Sequence, residues 1–125
     1  MGQTIEAVIT GDIVNSTKLK GDDYGQLIKS LKASFKRISE LYSGNKPVAF
    51  DIFRGDSFQG IIPQPESALE ATLLIRSCLR KHQPADHTFS WDARTAIGIG
   101  TVDNVPEKVS EGTGEAFINS GKYLD

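Results

Sequence analysis

Asp12 and Asp56 are the two residues of this chain best placed to do chemistry. Asp12 stands in Ala7-Val8-Ile9-Thr10-Gly11-Asp12-Ile13-Val14-Asn15-Ser16-Thr17, and Asp56 in Phe53-Arg54-Gly55-Asp56-Ser57-Phe58. Each follows an apolar, β-rich run. Carboxylate oxygens are what hard divalent cations require, so the two aspartates, if they converge, offer a site for Mg2+ or Mn2+. The adjoining Asn15, Ser16 and Thr17 have amides and hydroxyls suited to a phosphate, although the same residue types serve as plain helix caps. A purely structural reading exists for the aspartates too: Gly-Asp is a favoured turn pair, and an aspartate after a strand often holds loop amides.

The elements that must position them are legible from periodicity. Ile5 to Ile13 alternates as a first strand as far as Thr10 and then meets Gly11. From Asp23 to Tyr42, apolar residues recur at Tyr24, Leu27, Ile28, Leu31, Phe35, Ile38, Leu41 and Tyr42, the spacing of an amphipathic helix. Asp22 and Asp23 suit its positive N-terminal end. Val48 to Arg54 predicts a second strand, Gly55-Asp56 a tight turn, and Ser57 to Ile62 a third strand. A second helix spans roughly Glu66 to Lys81, with Pro65 in its first turn. Ala93 to Thr101 predicts a fourth strand, and a closing helix begins near Gly114.

The order β-α-β-β-α-β is that of the ferredoxin-like, split βαβ arrangement, an α+β fold. A helical crossover makes strands one and two parallel. Strand three, reached by a hairpin, lies between them. The expected sheet is four-stranded and antiparallel, in order 4-1-3-2, with two helices on one face. The end of strand one and the strand two–three turn then share one end of the sheet. Topology alone therefore draws Asp12 and Asp56 together.

Bulk composition excludes several classes. The 125 residues suffice for one domain, which buries about two-thirds of its unfolded surface. A hydrophobic share of 38% with 24% charge is ordinary globular composition, and a net charge of −2 argues against nucleic-acid binding by this segment. Lys29, Lys32 and Lys36 line one helix face, read as solvated. The single cysteine, Cys78, falls at core spacing with Ala68, Ala71 and Ile75, which predicts a buried thiol. His82 and His87 are read as surface residues. Trp91 either caps the core or marks a contact surface. No apolar run approaches the ~20 residues that span a bilayer, and no signal peptide is evident, so a cytoplasmic protein without membrane contact is expected. The chain stops at Asp125 at the end of its last helix, which suggests the N-terminal part of a longer protein.

These motifs resemble a family. Thr10 to Thr17 is similar to the first metal motif of class III nucleotidyl cyclases. Gly55-Asp56 with Phe58 is similar to their second metal motif and to the hairpin of diguanylate cyclase domains. Arg94 to Gly100 resembles the strand that follows, and Gly114-Glu115-Ala116-Phe117 the start of the closing helix. A closer resemblance is to SatD-like proteins, in which such a domain is generally followed by a helix-turn-helix. Any DNA contact would then belong to a region outside these residues.

The resemblance implies Asp12, Asp56 and the Ile13 carbonyl as metal ligands, with a nucleotide or other phosphate-bearing ligand. It also implies a homodimer, since cyclases tend to build their sites between subunits. Several positions depart from the cyclase pattern. Ile52 stands where a purine-recognising lysine belongs. Ungapped from Gly114, the helix positions for an asparagine and an arginine are Ile118 and Lys122. Asn119 is one residue off, about 100° of helix rotation. Glu111 falls where a second purine-selecting acid occurs. The expected function is a cyclase-like regulatory or ligand-sensing domain without turnover, within a helix-turn-helix regulator, with Glu111 and Lys122 as further ligand contacts. The alternatives are an active, divergent cyclase using two metals to polarise the α-phosphate and activate the 3′-hydroxyl, and a purely structural dimerisation module.

Overall fold

A computed structural model describes residues 5–19, 21–42, 44, 46–84, 90–102 and 114–124. Its elements are β1 (Ile5–Ile13), α1 (Asp22–Tyr42), β2 (Ala49–Phe53), β3 (Ser57–Ile62), α2 (Ala68–His82), β4 (Ala93–Thr101) and α3 (Glu115–Leu124). Single turns of 3-10 helix occupy Ser16–Lys18 and Pro65–Ser67. The sheet order is β2-β3-β1-β4 with every neighbouring pair antiparallel, which is the order expected from the sequence. β1 and β4 begin and end where alternation placed them. α1 starts one residue earlier than its periodicity, at the acidic Asp22 that suits the helix N-terminus.

Strand alternation sorts the sheet into two faces. Ile9, Ile13, Phe58 and Ile62 point to α1 and α2 and pack with Leu27, Leu31, Ile38, Ile75 and Leu79 in the main core. Trp91, just before β4, is only 2% exposed and belongs to this core, which resolves its two sequence readings. Val8, Ile61 and Val102 face the other way and form a smaller cluster with Ala116 and Phe117 of α3. Both inner strands, β1 and β3, are thus covered on two sides.

Glycine makes the close approaches possible. A Cβ on Gly98 would sit 2.2 Å from both the Ala116 carbonyl oxygen and the Ser120 amide nitrogen, so the backbone of α3 rests directly on β4 there. A Cβ on Gly11 would meet the Phe58 ring at 2.2 Å, so the residue before Asp12 is small because a core aromatic ring crosses over it.

Several side chains lie differently from their sequence reading. Cys78 is half-buried rather than sealed in the core. The buried stripe of α2 runs through Ala68, Ala71, Thr72, Ile75 and Leu79, which turns Cys78 toward α1. Ser30 and Ser34 of α1 are buried, and Ser30 meets Cys78 across that helix seam. Lys29, Lys32, Lys36 and His82 are exposed, while His87 lies outside the described residues. No helix among the described residues is long and apolar enough to cross a membrane.

Candidate functional site

The chain leaves β1 through a sharp local turn. Asn15 adopts a left-handed conformation with φ 57° and ψ 31°, which asparagine tolerates better than most residues. The following 3-10 turn carries Ser16 back toward the β2–β3 hairpin, and its Oγ donates to Asp56 Oδ2 at 2.9 Å. The hairpin turn itself has positive φ at Arg54 (56°) and Gly55 (79°). It is fastened from two sides: Ile13 N–H donates to the Asp56 carbonyl at 2.8 Å, and the Tyr24 hydroxyl of α1 donates to the Gly55 carbonyl. Asp56 and the Ile13 peptide are therefore neighbours at one end of the sheet.

Asp12 is set by register. It lies opposite Ser57 on β3 and opposite Arg94 on β4, so all three side chains project from the face that α3 covers. Ser57 Oγ donates to Asp12 Oδ1 at 2.9 Å, and Arg94 Nη2 donates to Oδ2 at 3.1 Å. One rung further in, Gln59 Nε2 donates to Thr10 Oγ1 at 3.0 Å, and Thr10 Oγ1 shares a 2.7 Å hydrogen bond with Ser120 Oγ of α3. A polar ladder thus runs from the open end of the sheet to a buried contact with the closing helix. Its sequence trace is the pair of polar positions two apart on each strand, Thr10 and Asp12 facing Ser57 and Gln59. That trace becomes meaningful only once the register is known.

A second charged cluster adjoins it. Val14 N–H donates to the Asp92 carbonyl at 2.9 Å, which ties the exit of β1 to the entry of β4. The Asp92 carboxylate receives Arg76 Nε at 2.8 Å and Nη2 at 2.9 Å, Arg80 Nη1 at 3.3 Å, and the Ala93 amide at 2.8 Å. The Arg76 hydrogen bonds hold Asp92 below the usual carboxylate range against the opposing effect of burial, with help from the Ala93 amide and the two guanidinium charges. Arg76 is raised in return, chiefly by the same hydrogen bonds. A cleft of about 400 Å³ opens here, lined by Val14, Arg76, Arg94, Thr95, Tyr123 and Leu124 among others.

Of the residues singled out from sequence, Ile13, Ser16 and Asp56 meet directly, while Asp12 precedes Ile13 with its carboxylate turned to Ser57 and Arg94. Ile13 turns its side chain into the core, so only its backbone is available to a ligand. Asn15 and Thr17 are exposed and form the turn. Lys122 is exposed in the last turn of α3, four residues after Ile118, which is 68% exposed. Both therefore lie on a stripe of α3 turned away from Ala116 and Ser120, which face the sheet. Asn119 is occupied elsewhere: its Nδ2 donates to the Ile99 carbonyl at 3.0 Å. Glu111 lies outside the described residues. Arg94, Ser57 and the Asp92 cluster were not anticipated as site residues.

The donor set suits a hard cation in kind. Asp12, Asp56 and a backbone carbonyl are all oxygen ligands, and water or phosphate can complete the shell of Mg2+. Among the described residues, however, no group of three or more His, Cys, Asp or Glu converges on one point. A cation at Asp12 would also have to displace Arg94 from Oδ2.

No family model and no curated protein sequence matches the chain. Solved structures do. A bacterial light-regulated adenylyl cyclase superposes with a TM-score of 0.68 at 17% identity, over 99% of this chain and 70% of that one. The active GGEEF domain of a diguanylate cyclase from Vibrio cholerae gives 0.67 at 12% identity, over 97% and 74%. The guanylate cyclase domain of RhGC from Catenaria anguillulae, in complex with GTP, gives 0.60 at 17% identity, over 90% and 76%. At such identities the likeness establishes the fold, which is that of nucleotide cyclase domains.

Proposed function

We propose that this chain is a cyclase-like sensing domain that binds a nucleotide or another phosphate-bearing ligand, with Mg2+ or Mn2+, without turning it over. One observation that supports the absence of turnover is at Asp12: both carboxylate oxygens are engaged within the chain, by Ser57 and Arg94, at the place where the cyclase resemblance calls for a metal, so a bound metal must compete with existing partners. The outward position of Ile118 and Lys122 supports it. An alkyl chain and a flexible ammonium stand where that resemblance calls for an amide and a guanidinium fork. Loss of one preorganised donor typically lowers a rate by ~10²–10³. By its similarity to SatD-like proteins, the domain belongs to a longer cytoplasmic helix-turn-helix regulator, with DNA contacted outside these residues. The exposed Ile118 and Tyr123 of α3 suit contact with a second copy.

The test is to incubate concentrated protein with ATP or GTP, Mg2+ and Mn2+, and to follow cyclic nucleotide and pyrophosphate release. Expected is ligand-dependent binding of the metal without product. Robust cyclisation that disappears in Asp56→Ala favours the second reading, an active divergent cyclase. The specific support for that reading is the shared sheet end of Asp56 and the Ile13 peptide. Neither binding nor turnover would leave the third, a structural dimerisation module.

A further inference from the structure

The face of α2 turned away from the core carries its charges in a fixed order. Glu66, in the 3-10 turn that leads into α2, and Glu70 mark one end, Leu69 and Leu73 the middle, and Arg76 and Arg80 the other end. Spacings of three and four residues set these side chains on one stripe, opposite the buried Ala68, Ala71, Ile75 and Leu79. All six are exposed, Leu69 by 63% and Leu73 by 52%, so the apolar middle of the stripe is open to water. Both arginines donate to Asp92, Arg76 through Nε and Nη2 and Arg80 through Nη1. These bonds hold the guanidinium groups in place and, with five N–H donors on each arginine, leave donors for a further carboxylate.

We propose that this stripe is a self-association surface, on which α2 of a second copy of the chain packs antiparallel about a twofold axis at Leu73. The order of charges decides both the occupant and the direction. A twofold axis at Leu73 sets Leu73 against Leu73 and brings Leu69 level with Ser77, Glu70 with Arg76 and Glu66 with Arg80 of the second copy. Each unlike pair then occurs twice, as an isologous contact requires. A parallel pairing in register would set arginine against arginine and glutamate against glutamate, which repel. Antiparallel packing also lays the two helix dipoles head to tail. Leu69 of one copy meets the cleft of about 620 Å³ lined by Leu73, Arg76, Ser77, Arg80, Lys81 and Asp92 of the other.

Other occupants match only half of the stripe. An acidic helix would satisfy Arg76 and Arg80 but oppose Glu66 and Glu70. An anionic membrane meets the same opposition and gains only the area of two leucines. A second copy supplies the opposite charge at both ends. One helix face is smaller than the ~800 Å² per partner of a standard interface, so the dimer is transient and salt-sensitive. It is separate from the contact suggested for Ile118 and Tyr123, because α2 and α3 cover opposite faces of the sheet. It needs neither nucleotide nor metal.

Sedimentation velocity over a concentration series of the full chain, without nucleotide or metal, measures the association. Expected is a reversible monomer–dimer equilibrium that weakens as salt is raised. An exposed ion pair contributes a factor of up to about 5 in affinity, so Glu66→Gln, which removes the same pair twice, should weaken the dimer about 2–25-fold. Leu73 is exposed, so its replacement leaves the fold intact. Leu73→Glu and Leu73→Lys each set like charges on the twofold axis and should each be monomeric, whereas their equimolar mixture should form a mixed dimer. A wild type that stays monomeric up to millimolar concentration, or a mixture of the two variants that does, overturns the proposal. A dimer that survives Leu73→Glu but not Ile118→Glu assigns the association to α3 and overturns it equally. Binding of the monomer to phosphatidylserine vesicles that is lost in Leu73→Glu would make the stripe a membrane contact instead.

Discussion

Arg94 reaches across from β4 to place its Nη2 3.1 Å from Asp12 Oδ2, so a guanidinium holds the charge-balancing position beside the first carboxylate of the sheet-end site. The arginine side chain is 64% exposed, against 32% for the aspartate. Ion pairs this open contribute at most about 1 kcal/mol, so a dication can compete for Oδ2. Removing the guanidinium should therefore raise divalent-cation affinity by a factor of about 2–5, the equivalent of that energy. Titration of Mn2+ into Arg94→Gln and wild type, each without nucleotide, measures it. Unchanged affinity would mean that Arg94 does not guard the site.

The complementary experiment removes the carboxylate. Asp12→Asn keeps the Ser57 contact while deleting the charge that a cation needs. Calorimetric titration of Mg2+ and Mn2+ should give weak binding to the wild type, stronger with a phosphate-bearing ligand, and markedly less to Asp12→Asn in both settings. Identical, negligible heats in the two proteins would make the pair structural and favour an assembly module.

The buried end of the polar ladder should show in stability. Ser120 is fully buried, and Thr10 Oγ1 contacts both Ser120 Oγ and Gln59 Nε2. Ser120→Ala leaves Thr10 bonded to Gln59, so it should cost about 1 kcal/mol in urea unfolding. Thr10→Val leaves the Gln59 amide short of its partner in a buried setting and should cost more, about 1–3 kcal/mol.

The seat of α3 allows a sharper test. A methyl group at Gly98 would collide with helix backbone, which cannot rotate away as a side chain can. Gly98→Ala should destabilise by about 1–3 kcal/mol or more through overpacking. Hydrogen exchange should report the loss first in α3. Gly121→Ala, where an added Cβ meets nothing within 4 Å, is the control and should be close to neutral or stabilising.

What the sequence disclosed and what it withheld divide along a physical line. Strand limits at Ile5–Ile13 and Ala93–Thr101 were legible because alternation is local. The meeting of Asp12 with the Asp56 turn followed from the parallel direction that one helical crossover imposes and from one hairpin. The Arg94–Asp12 pair was not legible, because it depends on which residue of β4 faces which residue of β1, and a slip of one would turn Arg94 to the other face. Asn119 illustrates the same limit. Its offset from the cyclase position was visible, but its occupation was not: with Glu115, which accepts from the Thr101 amide at 3.3 Å, it caps the outer edge of β4. An open strand edge invites pairing with other chains, and side chains from α3 blunt it here.

The Asp92 cluster links acid stability to the seam between β1, β4 and α2. Asp92 anchors Arg76 through two hydrogen bonds and Arg80 through one, and its own carbonyl holds Val14. Its folded-state pKa lies below the unfolded value, which is about 3.9 for aspartate. A carboxylate depressed in this way contributes stability that is complete above the unfolded pKa and is lost as pH falls through the folded one. Asp92→Asn should thus lower stability at neutral pH and flatten the decline of stability with acid below about pH 4. Arg76 is 47% exposed, so solvent screening keeps the expected loss near the lower end of charged hydrogen bonds, about 1 kcal/mol. Urea denaturation of both proteins at pH 7 and again at successively lower pH measures the two effects together. Parallel pH profiles, offset or not, would show that the Arg76 pairing does not stabilise the ionised carboxylate.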